Sequence, residues 1–286
     1  MRNYMVFLKK ELFESVKTHK LVIMLAVFLV FGMMSPLTAK FTPEILKWAI
    51  ETDPSAAGMD FGGLLTTPPV AFDSWAQFYG NVGFMGFIAL VVVFSGMISS
   101  ETTRGTLTIM LSKGLSRTAV VFSKLTSAAL IWTVSFCLSV LTAWGYTAYM
   151  FDDSVPNLFF AMFCLWLFGM FLLALTAFMA TITNKGYACM LSVGAVAIVL
   201  NIVNIVPVVG KYNPMSLSGS ISLLIEGASK KDMYPILAVA AIGTSAFTWL
   251  AIMFFNKKRA VKEKALLIGI AILCIALTVF IGERAV

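Results

Sequence analysis

The sequence predicts an all-α polytopic membrane protein that forms a single transmembrane domain over residues 1–286. Hydrophobic residues make up 59% of the chain and charged residues only 12%, whereas soluble domains carry roughly 25% charged residues. A helix crosses the hydrocarbon layer with roughly 20 apolar residues, because its backbone polar groups must be satisfied internally. Seven apolar stretches approach or exceed this length, the first and last being short for a span, and we expect six core spans and a seventh at the C-terminus: 21–38, 80–98, 125–150, 158–182, 187–209, 234–255 and 265–281.

The distribution of charge predicts the orientation of these spans. Lys and Arg are retained on the cytoplasmic side of a membrane. With the N-terminus inside, 15 of the 21 basic residues lie in cytoplasmic segments, whereas 10 of the 14 acidic residues lie outside. We therefore expect a cytoplasmic N-terminus, and the basic clusters beside apolar stretches indicate membrane orientation and not nucleic-acid binding.

The segment before the first span, residues 1–20, is expected to form an amphipathic interface helix along the inner membrane face. Its apolar half would carry Tyr4, Met5, Phe7, Leu8, Leu12 and Val16, with Lys9, Lys10, Lys17 and Lys20 on the opposite arc. Glu11 falls on the apolar side of this pattern. The lysines would be attracted to anionic lipid, although a plain anchor helix explains the pattern equally well. The segment is also long for the charged region of a cleaved signal sequence, which favours a retained anchor.

Two sizeable segments are expected outside the membrane. In 39–79, Pro43, Pro54 and other prolines and glycines argue against continuous helix, so a cap or a loop is expected. In 210–233, the turn signal Asn213-Pro214 precedes a half-apolar stretch that is too short to cross the bilayer. A re-entrant or interfacial helix fits this second segment.

The cytoplasmic segment 99–124, here called the coupling segment, is charged at both ends and apolar in its middle. Leu107, Met110 and Leu111 fall on one face of a short helix that Gly114 would end. Such a helix between two spans is suited to docking into a groove on a soluble partner. An ordinary connecting loop is the alternative that periodicity leaves open.

None of the seven apolar stretches contains an Asp, Glu, Lys, Arg or His. Carriers driven by an ion gradient and intramembrane hydrolases place ionisable groups within the bilayer, so both classes are disfavoured. The lone histidine, His19, excludes a histidine-based triad or HExxH zinc site, and we expect no catalytic residue, metal or cofactor on this chain. The polar residues Asn201 and Asn204 share one helical face. They either bond neighbouring helices or line a translocation path.

Several of these segments together resemble the permease subunits of the type-2 ABC-transporter family (type V-like ABC exporters). The resemblance covers roughly residues 1–260 and includes the opening Lys10-Glu11, the external segment after Asn213-Pro214 and the ending Phe254-Phe255. Its central motif runs through the coupling segment, which in that family forms the coupling helix. The positions that match this helix and would couple to the ATPase are Glu101, Arg104, Gly105, Thr106, Leu107, Ser112 and Arg117. The family usually has six spans, so the stretch 265–281 departs from its pattern.

The resemblance implies a permease that works with two cytoplasmic ABC ATPase subunits and a second permease subunit, either identical or homologous. The chain has no GxxxxGK[ST] phosphate loop, so ATP and Mg would be bound by the partner ATPase. The implied location is the bacterial inner membrane, and the implied cargo is peptide-like, drug-like or lipidic. A non-transporting membrane scaffold or sensor subunit is the alternative function, and a secondary carrier is less favoured.

Overall fold

The computed structural model describes residues 2–52, 68–98, 116–183, 185–204, 210, 212–225 and 230–257. Within these ranges every regular element is helical. The α-helices are α1 (Arg2–Lys17), α2 (Lys20–Thr52), α3 (Ala71–Gly80), α4 (Phe87–Phe94), α5 (Arg117–Met150), α6 (Leu158–Ile182), α7 (Gly186–Asn204) and α8 (Tyr234–Lys257). A π-helical segment, Asn81–Gly86, joins α3 to α4, and 3-10 helices occupy Pro214–Leu224 and Lys230–Met233.

In the described part of the chain, six helical segments are long and apolar enough to cross a membrane. Five of them are α2, α5, α6, α7 and α8, and the sixth is the continuous segment Ala71–Phe94, which comprises α3, the π-helical segment and α4. The prediction of an all-α polytopic membrane protein is confirmed. The predicted seventh span, 265–281, lies outside the described residues.

Helix α6 forms the centre of the bundle. In its most apolar stretch 61% of the residues are buried inside the protein, against 17% for α7, which lies at the periphery. Close packing is possible because small residues face bulky ones. An added Cβ on Gly169 would lie 2.2 Å from Cζ2 of Trp132, and one on Gly32 would lie 2.6 Å from the carbonyl oxygen of Ser139. These two glycines allow α6 and α2 to approach α5.

The first span corrects one prediction. Helix α2 does not end near residue 38 but continues through Pro36 and Pro43 to Thr52. At about 1.5 Å per residue it is roughly 50 Å long, longer than the hydrocarbon core of roughly 30 Å. Proline is tolerated in a spanning helix where neighbouring helices and local adjustments satisfy the freed backbone groups, and α2 packs along α5.

Other boundaries also move. Residues 71–79, expected in an outer loop, form most of α3, and α5 begins at Arg117, so the last residues of the coupling segment are its first two turns. A loop over 39–79 is therefore wrong at both ends, which are helical, and 53–67 lie outside the described residues. Helix α1 ends at a break where His19 takes a left-handed conformation with φ 62°.

Two ends of the bundle are distinguished by their contacts. At the end that carries α1, called here the N-terminal end, Glu11 meets Lys124 near the start of α5. At the opposite end, called here the far end, Lys40 of α2 donates to the carbonyl of Met150 at the close of α5. The 3-10 helix Pro214–Leu224 packs against α6, and its Leu217 and Leu224 are buried.

Candidate functional site

A buried ion pair joins α1 to α5 at the N-terminal end. The Lys124 ammonium lies 2.9 Å from one Glu11 carboxylate oxygen, and the two side chains are only 5% and 9% exposed. The other Glu11 oxygen accepts from Lys10 at 3.0 Å, and Lys10 lies 2.6 Å from Glu14. Because buried charges must be paired to be tolerated, this network fixes the position of α1 on the bundle.

Glu14 completes the network at its more exposed side. Partial burial on its own would favour the protonated carboxyl group. The hydrogen bond from Lys10 and the charges of Lys10, Lys124 and Lys20 outweigh that effect, and they hold the pKa of Glu14 below its usual value. Glu14 therefore stays ionised to lower pH than a free glutamate does.

The network also explains why Glu11 falls on the apolar side of α1. That side faces the protein: Phe7 is 7% exposed, and the Tyr4 hydroxyl donates to Thr126 on α5. Met5 and Val16, predicted on the same apolar half, are instead 67% and 48% exposed. They share the outward side of the helix with Val6, Phe13, Lys9 and Lys17.

Described residues just before the coupling segment and in its last part lie against other spans. Three residues before it, Gly96 lies close to the first residue of α7: a Cβ added to Gly186 would lie 3.5 Å from the Gly96 Cα. Within the segment, the Ser116 hydroxyl accepts from the backbone N–H of Ala119 and caps α5. The Arg117 guanidinium then donates to the carbonyl of Phe255, near the C-terminus of α8, at 3.1 Å. That terminus carries a partial negative charge, so a cation is favoured there.

An apolar groove with a volume of about 320 Å³ lies between the second span, α6 and α7. Its rim is exposed at Phe84, Ile88 and Ile198. Among the described residues that line it, Asn201 has the only polar side chain, and it forms no hydrogen bond with another described residue. The lining consists of Gly83, Phe84, Phe87, Ile88, Val91, Phe168, Leu172, Met190, Val193, Gly194, Ala197, Ile198, Asn201 and Met215.

The π-helical segment Asn81–Gly86 forms part of the wall of this groove. A π-helix is rare and is frequently found at functional sites. Here it carries Gly83 and Phe84 into the lining, while the Asn81 amide donates to the Ser35 hydroxyl of α2 at 3.0 Å. The second span is thus irregular at the position where it borders the groove.

Comparison with known proteins assigns the family. A sequence model of the family described as "ABC-2 family transporter protein" matches residues 5–282. The chain belongs to the ABC-2 transporter family. It is also 22% identical over 240 residues to a protein described as "Uncharacterized transmembrane protein YxlG" from Bacillus subtilis (strain 168), an alignment that covers 82% of this chain and 89% of that protein. The chain is therefore a membrane permease subunit of an ABC transporter and is not itself catalytic, and permeases of this family generally work with an ABC ATPase partner.

The structure places the predicted site residues of this ABC-2 permease in separate regions. Lys10 and Glu11 lie in the ion-pair network, whereas Lys9 is exposed. Arg117 lies in the last part of the coupling segment, where α5 begins. The other six predicted coupling residues lie outside the described residues: Glu101, Arg104, Gly105, Thr106, Leu107 and Ser112.

The two asparagines of α7 also separate. Asn201 lines the groove, whereas the Asn204 side-chain oxygen accepts from the Ser216 hydroxyl at 2.8 Å and so ties α7 to the 3-10 helix. Sequence reasoning missed a further asparagine, Asn213, which is completely buried. Its amide donates to the carbonyl of Leu200 at 2.6 Å and accepts from the N–H of Met215. Its position before a proline signalled a turn, and only the fold shows that it anchors the end of α7.

Sequence reasoning also missed a buried hydroxyl contact at the far end. The Tyr79 hydroxyl donates to the carbonyl of Ala161 at 2.8 Å and lies 3.0 Å from the Ser220 hydroxyl. These bonds join the second span, α6 and the 3-10 helix Pro214–Leu224. The periodicity of the sequence carries no signal for such a contact.

Proposed function

We propose that this ABC-2 permease forms the translocation path of an ATP-driven exporter and couples it to a separate cytoplasmic ABC ATPase that binds ATP and Mg. The observation that carries the proposal is the bond from Arg117, in the last part of the coupling segment, to the Phe255 carbonyl of α8. Just before the segment, Gly96 also lies close to Gly186 at the start of α7. Displacement of the segment is therefore transmitted to two spans beyond those that it directly connects.

In this mechanism, closure of the ATPase dimer on ATP pushes against a helix formed within the coupling segment. Glu101, Arg104 and Arg117 anchor that helix, while Gly105, Thr106, Leu107 and Ser112 form its docking surface. The Arg117 side chain carries the movement to the end of α8. Because α7 also borders the groove, the same movement changes the width of the groove.

The groove is the proposed path, with a second permease subunit, identical or homologous, covering its open side. Exposed Phe84, Ile88 and Ile198 provide an apolar rim for that partner. An apolar lining that contains the single amide of Asn201 suits a peptide-like, drug-like or lipidic cargo, because apolar pockets with few polar groups recognise such molecules. Met190 and Met215 add adaptable surface.

The proposed location is the bacterial inner membrane, with the N-terminal end in the cytoplasm. Lys9 and Lys17 then face anionic lipid, and exposed Val6 and Phe13 enter the headgroup region. This places α1 beside the coupling segment, on the side from which an ATPase approaches.

The test is the transport yield per ATP hydrolysed by the permease co-purified with its ABC ATPase and reconstituted in proteoliposomes. A fluorescent amphipathic peptide serves as the transport probe. Arg117→Gln removes the bond to Phe255, and we expect it to retain ATPase binding but to lower the yield about tenfold, as loss of a charged hydrogen bond of about 1.4 kcal/mol would. Lys47→Gln is the matched control, because Lys47 is exposed near the far end of α2 and its substitution should leave the yield unchanged.

A normal yield in Arg117→Gln would contradict the coupling role. Failure of any ABC ATPase to co-purify, together with absence of ATP-dependent transport, would favour the scaffold or sensor function. Transport by the isolated permease under an ion gradient would favour a secondary carrier.

A further inference from the structure

A second cavity, separate from the groove, opens at the far end of the bundle. Its volume is about 520 Å³, within the range of small-molecule sites. The start of α3, the last turns of α5 and the α5–α6 connection enclose it. We call it the aromatic cavity, because its walls include Trp75, Trp144, Phe159 and Phe160.

A fixed carboxylate completes the wall. Both oxygens of Asp153 accept from the backbone N–H of Ala71, at 3.0 and 2.9 Å, which holds the carboxylate at the start of α3. A carboxylate offers about four acceptor positions, so this one retains capacity for a second partner. Among the described residues that line the aromatic cavity there is no Lys or Arg. Lys40 does not line the cavity; its ammonium donates to the Met150 carbonyl and lies over the Phe151 ring, 5.4 Å from the centroid.

Aromatic faces beside a carboxylate are the combination that attracts an organic ammonium group. A cation within about 6 Å of an aromatic ring centroid is attracted by the ring quadrupole, most strongly by tryptophan. Trp144 is 56% exposed and Phe159 is 90% exposed, so both residues are accessible from outside the bundle. Exposed aromatic residues at the ends of spans are typical of the membrane–water boundary.

An exposed apolar stripe runs along α5 from this cavity toward the N-terminal end. Its residues recur at intervals of three and four and share one face of the helix: Leu130, Val134, Cys137, Leu141 and Trp144. An alkyl chain attached to a group in the aromatic cavity would lie along this stripe within the hydrocarbon layer. The cavity therefore suits a molecule with a cationic head and an apolar tail.

We propose that the aromatic cavity binds the ammonium head of a cationic amphiphile, with Trp144 contacting the cation and Asp153 balancing its charge. A zwitterionic head with a phosphate beside the ammonium group is disfavoured, because Asp153 repels the phosphate. A neutral head gains neither interaction. This inference concerns binding at the far end and does not depend on transport through the groove.

The test is calorimetric titration of the full-length protein in dodecyl maltoside with octyltrimethylammonium, after subtraction of the heats for empty micelles. We expect one saturable site for octyltrimethylammonium, weaker binding of octylphosphocholine, and no saturable binding of octyl glucoside. Asp153→Asn keeps an acceptor for the Ala71 N–H but removes the charge, and it should weaken binding about fivefold, as expected for one partly exposed ion pair. Trp144→Leu should weaken binding similarly through loss of the cation–π contact.

Asp152→Asn is the matched control, because Asp152 is adjacent and exposed but does not line the cavity. Equal losses in Asp152→Asn and Asp153→Asn would assign the effect to general surface charge and overturn the proposal. Unchanged affinity in both Asp153→Asn and Trp144→Leu, or equal binding of the neutral probe, would overturn it as well. Trp144→Leu leaves the hydrogen bond from the Ala71 N–H to Asp153 intact. If Asp153→Asn proves unstable, the affinity of Trp144→Leu therefore still tests the proposal.

Discussion

The ion pair between Glu11 and Lys124 offers a test of how α1 is held on the bundle. Replacing either residue alone with methionine leaves the other charge buried, and breaking a buried pair costs about 3–5 kcal/mol. We expect the free-energy cost of Lys124→Met to lie at the lower end of this range, about 3 kcal/mol, because Glu11 keeps its bond to Lys10. Glu11→Met leaves the Lys124 ammonium 5% exposed with Glu14 still nearby, and its cost should fall within the same range of about 3–5 kcal/mol.

The double variant Glu11→Met, Lys124→Met distinguishes pairing from packing. Replacing a buried ion pair with apolar side chains of similar volume is often neutral or stabilising. The double variant should therefore be more stable than either single variant, which is the reverse of additive behaviour. Exposed pairs show no such pattern, because water solvates the remaining charge.

The assay is hydrogen exchange of the α1 backbone amides in detergent, since loss of the pair releases α1 before the bundle unfolds. A cost of about 3 kcal/mol corresponds to roughly hundredfold faster exchange. Amides in the centre of α6 serve as the internal control and should exchange at unchanged rates. Unchanged α1 exchange in both single variants, or exchange in the double variant as fast as in the worse single variant, would refute the reasoning.

Two further predictions concern core packing and pH. Gly169→Ala should destabilise the bundle by about 1–3 kcal/mol through overpacking, because the new Cβ would lie 2.2 Å from Cζ2 of Trp132. Gly145→Ala is the control: no atom lies within 4 Å of its new Cβ, so it should be neutral or stabilising in thermal unfolding. Equal thermal shifts in the two variants would contradict this. The pKa of Glu14 is lower in the folded chain than in a free glutamate. Its contribution to holding α1 is therefore fully present above the ordinary carboxyl pKa, and it is lost as the pH falls through the pKa of the folded state. After correction for the intrinsic exchange rate, the α1 amides should therefore lose protection against hydrogen exchange below about pH 4. The Glu14→Gln variant should lose less protection over the same pH range, and identical pH profiles of the two proteins would contradict this prediction.

The family and the fold class were predictable because both depend on patterns that survive without coordinates. The apolar stretches follow from the cost of leaving backbone groups unsatisfied in hydrocarbon, which any polytopic helical protein must avoid. A helix over the segment that carries Lys10 and Glu11 was also predictable. The ion pairs of these two residues, and the side of the helix that faces the protein, were not. Glu11 contradicted the expected pattern because its partner, Lys124, lies 113 residues away.

The prolines of α2 show the limit of local signals. Pro36 and Pro43 each remove a backbone donor and would end a helix in water. In the bundle, α2 packs along α5 and continues through both prolines. Local propensity was overruled because packing along a neighbouring helix is a property of the whole fold.

The sequence alone determined that the chain lies in a membrane, how many apolar stretches are available to cross it, and which family it belongs to, because hydropathy and motif order are properties of the linear chain. The tertiary structure decided which polar residues meet: Glu11 with Lys124, Arg117 with the end of α8, and Asn213 with the end of α7. It also decided where the groove and the aromatic cavity lie. Both depend on distances between helices, and those distances are set by side-chain packing between residues far apart in the sequence.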